Sequence, residues 1–162
     1  MVMLTLQIEA VTAGYENVGV RSTTAPMMED ITLYKAIPEF LEAFPNRYQT
    51  LFSEIQAAPT EKLLNTCKSL LHKWPFDIER SKVALAPTIP LFCTDKFLLG
   101  CRDLSNQFGA GLHIHLAESR AQAVAGIQNY GKTLANHLDQ LGIINRSFTG
   151  AHSICLDGDD IK

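Results

Sequence analysis

The stretch GLHIHLA (111–117) decides the fold. Residues two apart on a strand share a face, so Leu112, Ile114 and Leu116 point one way and His113 and His115 the other. The aliphatic set is expected to lie under covering helices. The imidazoles then face the inside of a curled sheet or barrel. A strand this apolar, covered on both faces, belongs to a parallel sheet. Glu118 follows in the loop or first helical turn, placed to reach back over the strand end. His115 is nearer that C-terminal end, where α/β barrels carry their chemistry.

The surrounding chain alternates between strand-like and helical segments. Further strands are expected at 18–25 (VGVRSTTA), 82–87 (KVALAP) and 147–156 (SFTGAHSICL). Helical spacing runs over 3–16 (Leu4, Ile8, Val11, Tyr15) and over 61–72 behind a Thr60 cap (Leu63, Leu64, Cys67, Leu70, Leu71). It recurs over 95–108 behind a Thr94 cap (Phe97, Leu98, Cys101, Leu104, Phe108) and over 120–141 (Val124, Ile127, Leu134, Leu138, Leu141). Residues 26–59, with Pro26, Pro38, Pro45 and Pro59, read as a long excursion holding one short helix near 47–57. Strand–helix alternation predicts parallel strands joined by right-handed crossovers.

A chain of 162 residues suits one domain, and 46% hydrophobic with 19% charged residues is a globular composition. The net charge of −3 and the absence of a basic stripe argue against a nucleic-acid partner. No run reaches the ~18 apolar residues of a membrane span, and MVMLTLQI (1–8) lacks the basic start and cleavage site of a signal peptide. Cys67, Cys93, Cys101 and Cys155 form no CxxC pair and are expected to be reduced, mostly buried thiols of a cytoplasmic protein. His72 and His137 are expected on solvated faces. Asp157, Asp159 and Asp160 read as a solvated turn, since DGDD (157–160) lacks the remaining ligands of a calcium loop.

Neutral imidazole and carboxylate are ligands for Zn²⁺ and similar ions, and a carboxylate beside an activated water can shuttle protons. His152 ends the strand SFTGAH (147–152), which a parallel sheet places beside the first, adding a second imidazole at the same rim. Spacing alone leaves two readings open: a metal-dependent site, or histidines satisfied within a core.

HIHLAES (113–119), YGKTLANHLDQLGII (130–144) and TGAHSICLDGDDI (149–161), in that order, resemble the amidohydrolase superfamily. The branch resembled holds the aminohydrolases and chlorohydrolases: cytosine, guanine and adenosylhomocysteine deaminases and the triazine hydrolases. ALAPTIPLFCTDKFL (84–98) is similar to that family's fourth barrel strand and NVGVRSTTAPMMED (17–30) to its third. The resemblance implies a partial (β/α)8 barrel, strands three to six with their helices, residues 1–162 being a fragment of one hydrolase barrel domain. It implies a metal, zinc or iron, held by His115. Glu118 and His152 become the catalytic groups that also touch substrate, His152 polarising the attacked centre or helping to hold the metal, with His113 supporting the ligand from the barrel interior. Thr88 stands after the strand-four proline, where related deaminases often carry a substrate-contacting histidine.

The family's H-x-H pair of strand one and aspartate of strand eight have no counterpart here. The implied reaction is hydrolytic deamination or dechlorination of a small nitrogen heterocycle by an activated water, with the isolated chain inactive. Two alternatives stand beside it: hydrolysis of a cyclic amide, and a half-barrel that acts as a non-enzymatic assembly module. A second copy of the chain is the further candidate partner.

Overall fold

The structure, a computed structural model, describes residues 2–37 and 40–161, without the side chains of residues 2–6. The side chain of Leu4 and Pro38 therefore lie outside what is described. Five parallel segments make one sheet: β1 (Ser22–Thr24), β2 (Met27–Met28), β3 (Ser81–Pro87), β4 (Gly111–Leu116) and β5 (Phe148–His152). The order is β1–β3–β4–β5, with β2 also on β3. Seven α-helices stand between and before them among the described residues: α1 (Val2–Asn17), α2 (Leu33–Ala36), α3 (Asn46–Ser53), α4 (Thr60–His72), α5 (Asp95–Phe108), α6 (Arg120–Tyr130) and α7 (Leu134–Gln140).

β1 and β2 are one interrupted strand. Ser22 pairs with Ser81 and Met27 with Ala86, the same register on either side of Pro26. Proline has no N–H for a ladder, so pairing lapses there and resumes. The strand expected at 18–25 thus begins later and runs further. Val18 and Val20 stay exposed, because the α1 turn leaves them outside the ladder.

Leu112, Ile114 and Leu116 are buried and His113 and His115 half-buried, the alternation the period of two requires. Leu85 of β3 joins the aliphatic face, packing with Phe97, Leu98 and Cys101 of α5 and Leu63 and Cys67 of α4 in one core. α4 and α5 approach closely at Gly100, where an added Cβ would lie 2.4 Å from Leu64 Cδ1. Ala84 pairs with Gly111, so β3 offers small side chains to the histidines' face and leaves room beside them.

Three local expectations change. Thr60 is the first residue of α4 and not its cap; Pro59 holds that position, and the Thr60 hydroxyl donates to Asp30 Oδ2 at 2.6 Å. The helix expected over 120–141 is two, because Gly131 closes α6 in the left-handed conformation (φ 67°) and Thr133 caps α7 by accepting from Asn136 N. Leu134 and Leu138 reach the core, whereas Val124 and Ile127 face outward; Gly126 is the α6 residue that seats against Leu134. In α1, Ile8 and Thr12 are buried while Val11 and Tyr15 are exposed.

His137 also departs from expectation, being buried at 8% exposure. Its Nε2 lies 2.8 Å from Asp95 Oδ1, and its ring stacks on Tyr130 at 3.8 Å, tying α7 to α5 and α6. His72 is exposed, and Cys67, Cys93 and Cys101 are buried free thiols, with Cys155 half-buried. Among the described residues no helix is long and apolar enough to cross a membrane.

Candidate functional site

His115, Glu118, His152 and Thr88 meet at the C-terminal ends of β3, β4 and β5. Thr88 directly follows β3. Its N–H donates to Met28 O at 2.9 Å, and its carbonyl accepts from the His115 N–H at 2.9 Å. The same carbonyl lies 2.9 Å from His115 Nδ1. A carbonyl only accepts, so Nδ1 carries the ring proton and Nε2 presents a free lone pair, the tautomer and second-nitrogen bond that metal-holding histidines use.

Glu118 is held from its own helix start. Ser119 caps α6 by accepting from Gln122 N at 3.3 Å, and Gln122 Oε1 accepts the Glu118 N–H at 3.2 Å. The S-x-x-Q spacing of residues 119–122 is a capping signature, so the sequence itself fixes where this carboxylate emerges. Glu118 Oε2 lies 3.4 Å from His152 Nε2, with side chains 34% and 49% exposed. The His152 ring stands 5.4 Å from the His115 ring, and that of His113 6.4 Å from it. His113 is thus the deeper neighbour on the same face, one step down the strand.

Backbone strain gathers here too. Ala117 (φ 48°), His152 (φ 63°) and Ser153 (φ 54°) are the non-glycine residues with positive φ among those described. Such residues cost of the order of 1–3 kcal/mol each and cluster at functional sites. Periodicity could not have shown them. Glu29 directly follows β2, and partial desolvation raises its carboxyl above the ordinary value.

No group of three or more His, Cys, Asp or Glu side chains is gathered closely enough to hold a metal by itself among the described residues. His115 fits the chemistry of one ligand, with His152 and Glu118 beside it, and a full coordination set needs donors from elsewhere. In the loop 157–160, Asp157 Oδ1 accepts from the N–H groups of Asp159 and Asp160, and Asp160 Oδ1 accepts from Thr133 Oγ1. They form a turn, as expected.

No protein-family model matches the chain. It is 32% identical over 113 residues to the 5-methylthioadenosine/S-adenosylhomocysteine deaminase of Caldanaerobacter subterraneus subsp. tengcongensis, covering 69% of this chain and 26% of that protein. It is 36% identical over 83 residues to the 5'-deoxyadenosine deaminase of Methanosarcina mazei, covering 51% and 19%. The chain therefore spans about a quarter or less of the length of the curated relatives it matches. Among solved structures, a zinc-bound adenosine deaminase from Xanthomonas campestris superposes with a TM-score of 0.69 at 21% identity, over 93% of this chain and 29% of that one. The guanine deaminase of C. acetobutylicum with bound guanine gives 0.73 at 14% identity, over 97% and 34%. An atrazine chlorohydrolase from Arthrobacter aurescens TC1 complexed with zinc gives 0.74 at 17% identity, over 95% and 31%.

The sheet is an arc of a (β/α)8 barrel, and the imidazoles of His115 and His152 and the Glu118 carboxylate fall on one rim of it. The chain belongs with the deaminases of the amidohydrolase superfamily and carries one part of that barrel.

Proposed function

We propose that the chain supplies His115, Glu118 and His152 to a metal-dependent hydrolase that deaminates a small nitrogen heterocycle, adenine nucleosides being the first class to test. The observation that carries this reading is the Thr88 carbonyl on His115 Nδ1, which leaves Nε2 free at the rim with Glu118 and His152 beside it. Residues 1–162 are then one part of a single hydrolase barrel domain in the cytoplasm, with no membrane or nucleic-acid partner.

A divalent ion, zinc or iron, would be held by His115 Nε2 together with donors outside this chain. When bound, such an ion supplies a Lewis acid that makes water a nucleophile at neutral pH. The chain's own residues do the rest. A Glu118 carboxylate oxygen takes the proton from the attacking water and returns it to the leaving amine, so that a C–O bond forms, the C–N bond breaks and ammonia departs. His152 donates from Nε2 to the ring nitrogen on which charge builds as the water adds to the neighbouring carbon, the electrostatic help such sites use most. His113 keeps the barrel interior polar behind His115. Thr88 faces the substrate from the end of β3, where its side chain contributes to selecting the heterocycle.

The test is complementation. The Caldanaerobacter deaminase lacking its 113 matched residues is purified with this chain and zinc, and ammonia release from 5-methylthioadenosine is measured. Turnover that Glu118→Gln abolishes is the expected result, with little or none from the chain alone. An assembled complex without turnover, or one indifferent to Glu118→Gln, would overturn the reading. The deaminase kinship favours this over a purely structural half-barrel.

A further inference from the structure

His152 lies on the wrong face by register. Leu116 pairs with His152 and His115 with Ala151, and partners in a parallel ladder point to the same side of the sheet. Leu116 faces the helices and is buried, so a regular β5 would send His152 under the helix layer beside it. Its ring stands instead next to that of His115, half exposed. We propose that a bulge at the end of β5 turns His152 into the mouth, and that Gly150 is its positioning residue, acting through Ser153.

The ladder shows where the turn is made. The Ser153 N–H donates to Leu116 O at 2.8 Å, the last regular rung. The next rung should take the Cys155 N–H to Glu118 O; it goes to Ala117 O, at 2.9 Å, one residue short. β5 therefore carries one extra residue here, and His152 and Ser153 absorb it in the left-handed region at φ 63° and 54°. A bulge of this kind re-aims a side chain beside a site.

Gly150 gives the bend its room. A Cβ there would lie 2.8 Å from Ser153 Oγ, closer than real Cβ atoms come, and 3.3 Å from Phe148 Cε1, a tight contact. Ser153 Oγ folds back over this residue, donating to Gly150 O at 3.4 Å. A side chain at 150 displaces the Ser153 hydroxyl and its hydrogen bond to Gly150 O, the contact that holds Ser153 and with it the conformation of His152. What His152 then does chemically rests on the function proposed above; where its ring sits does not.

NMR on the isotope-labelled 162-residue chain reads the placement directly. The native chain is expected to show NOEs between the rings of His152 and His115. Gly150→Ala is expected to lose them while the dispersed spectrum and far-UV dichroism persist. Gly150→Ala with Ser153→Gly is expected to restore them, because the clashing hydroxyl is gone and glycine accepts positive φ. Should Gly150→Ala fail to fold, Ser153→Val, which forces a β-branched residue to positive φ, is expected to give the same loss. NOEs absent from the native chain, unchanged in folded Gly150→Ala or Ser153→Val, or not recovered in the folded double variant, would overturn the proposal. Placement that behaves as expected without turnover in the complementation assay would sink the proposed function alone.

Discussion

Removing the Asp30 carboxylate should cost more than any single surface contact in this chain. Asp30 lies two residues past the end of β2, and its two oxygens accept three hydrogen bonds. Oδ1 takes the Thr94 N–H at 2.7 Å, while Oδ2 takes the Thr94 and Thr60 hydroxyls at 2.6 Å each. One carboxylate thus fixes the starts of α4 and α5 against the sheet end. Hydrogen bonds to a charged group contribute about 1.5–3 kcal/mol each, and three sharing one acceptor group do not add in full. The hydroxyls are only part-buried and can turn to water after Asp30→Ala, whereas the Thr94 N–H loses its partner. The expected loss is about 3–5 kcal/mol. Asp30→Asn keeps an acceptor for that N–H and should lose about half as much. Trp74, the single tryptophan, reports urea unfolding well, since its indole N–H is bonded to Ser81 O at 2.8 Å next to the sheet. A cost below about 1 kcal/mol for Asp30→Ala, or equal costs for both variants, would refute the reasoning.

Alkaline pH should unfold the chain early. Burial raises the Cys93 thiol; the neighbouring Cys67 thiol, through a hydrogen bond, and then burial raise that of Cys101. The folded chain keeps protons that the unfolded chain releases above ~8.5, so stability falls as pH rises, by about 1.4 kcal/mol per thiol per pH unit. Urea midpoints between pH 7 and 10 test this, and a flat profile would contradict it. For the same reason iodoacetamide should label Cys155 first in the native chain and reach Cys93 and Cys101 only with urea, as peptide mass mapping will show. His137→Ala, which removes the Asp95 bond and the Tyr130 stack, should cost about 1–3 kcal/mol in the same unfolding assay.

Much of this was legible in the sequence because it depends on period and order. The alternation of GLHIHLA gave β4 its two faces, and the succession of strands and helices gave the parallel order. His115, Glu118 and His152 came from residue type at strand ends. What stayed hidden depends on contacts between distant segments. His137 looked like a surface residue until α5 and α6 brought Asp95 and Tyr130 to it. Thr60 looked like a cap until Asp30 claimed its hydroxyl. The bulge that aims His152 is a slip of one rung between β4 and β5, and no spacing within either strand reveals it.

Calorimetric titration of the chain with Zn²⁺, beside His115→Ala, is the measurement to make first. If Nε2 of His115 is the free metal-facing nitrogen, the native chain binds zinc weakly, as an incomplete ligand set must, and His115→Ala abolishes that binding while leaving the fold intact. Zinc uptake unchanged in a folded His115→Ala, or no uptake by the native chain, would contradict the assignment.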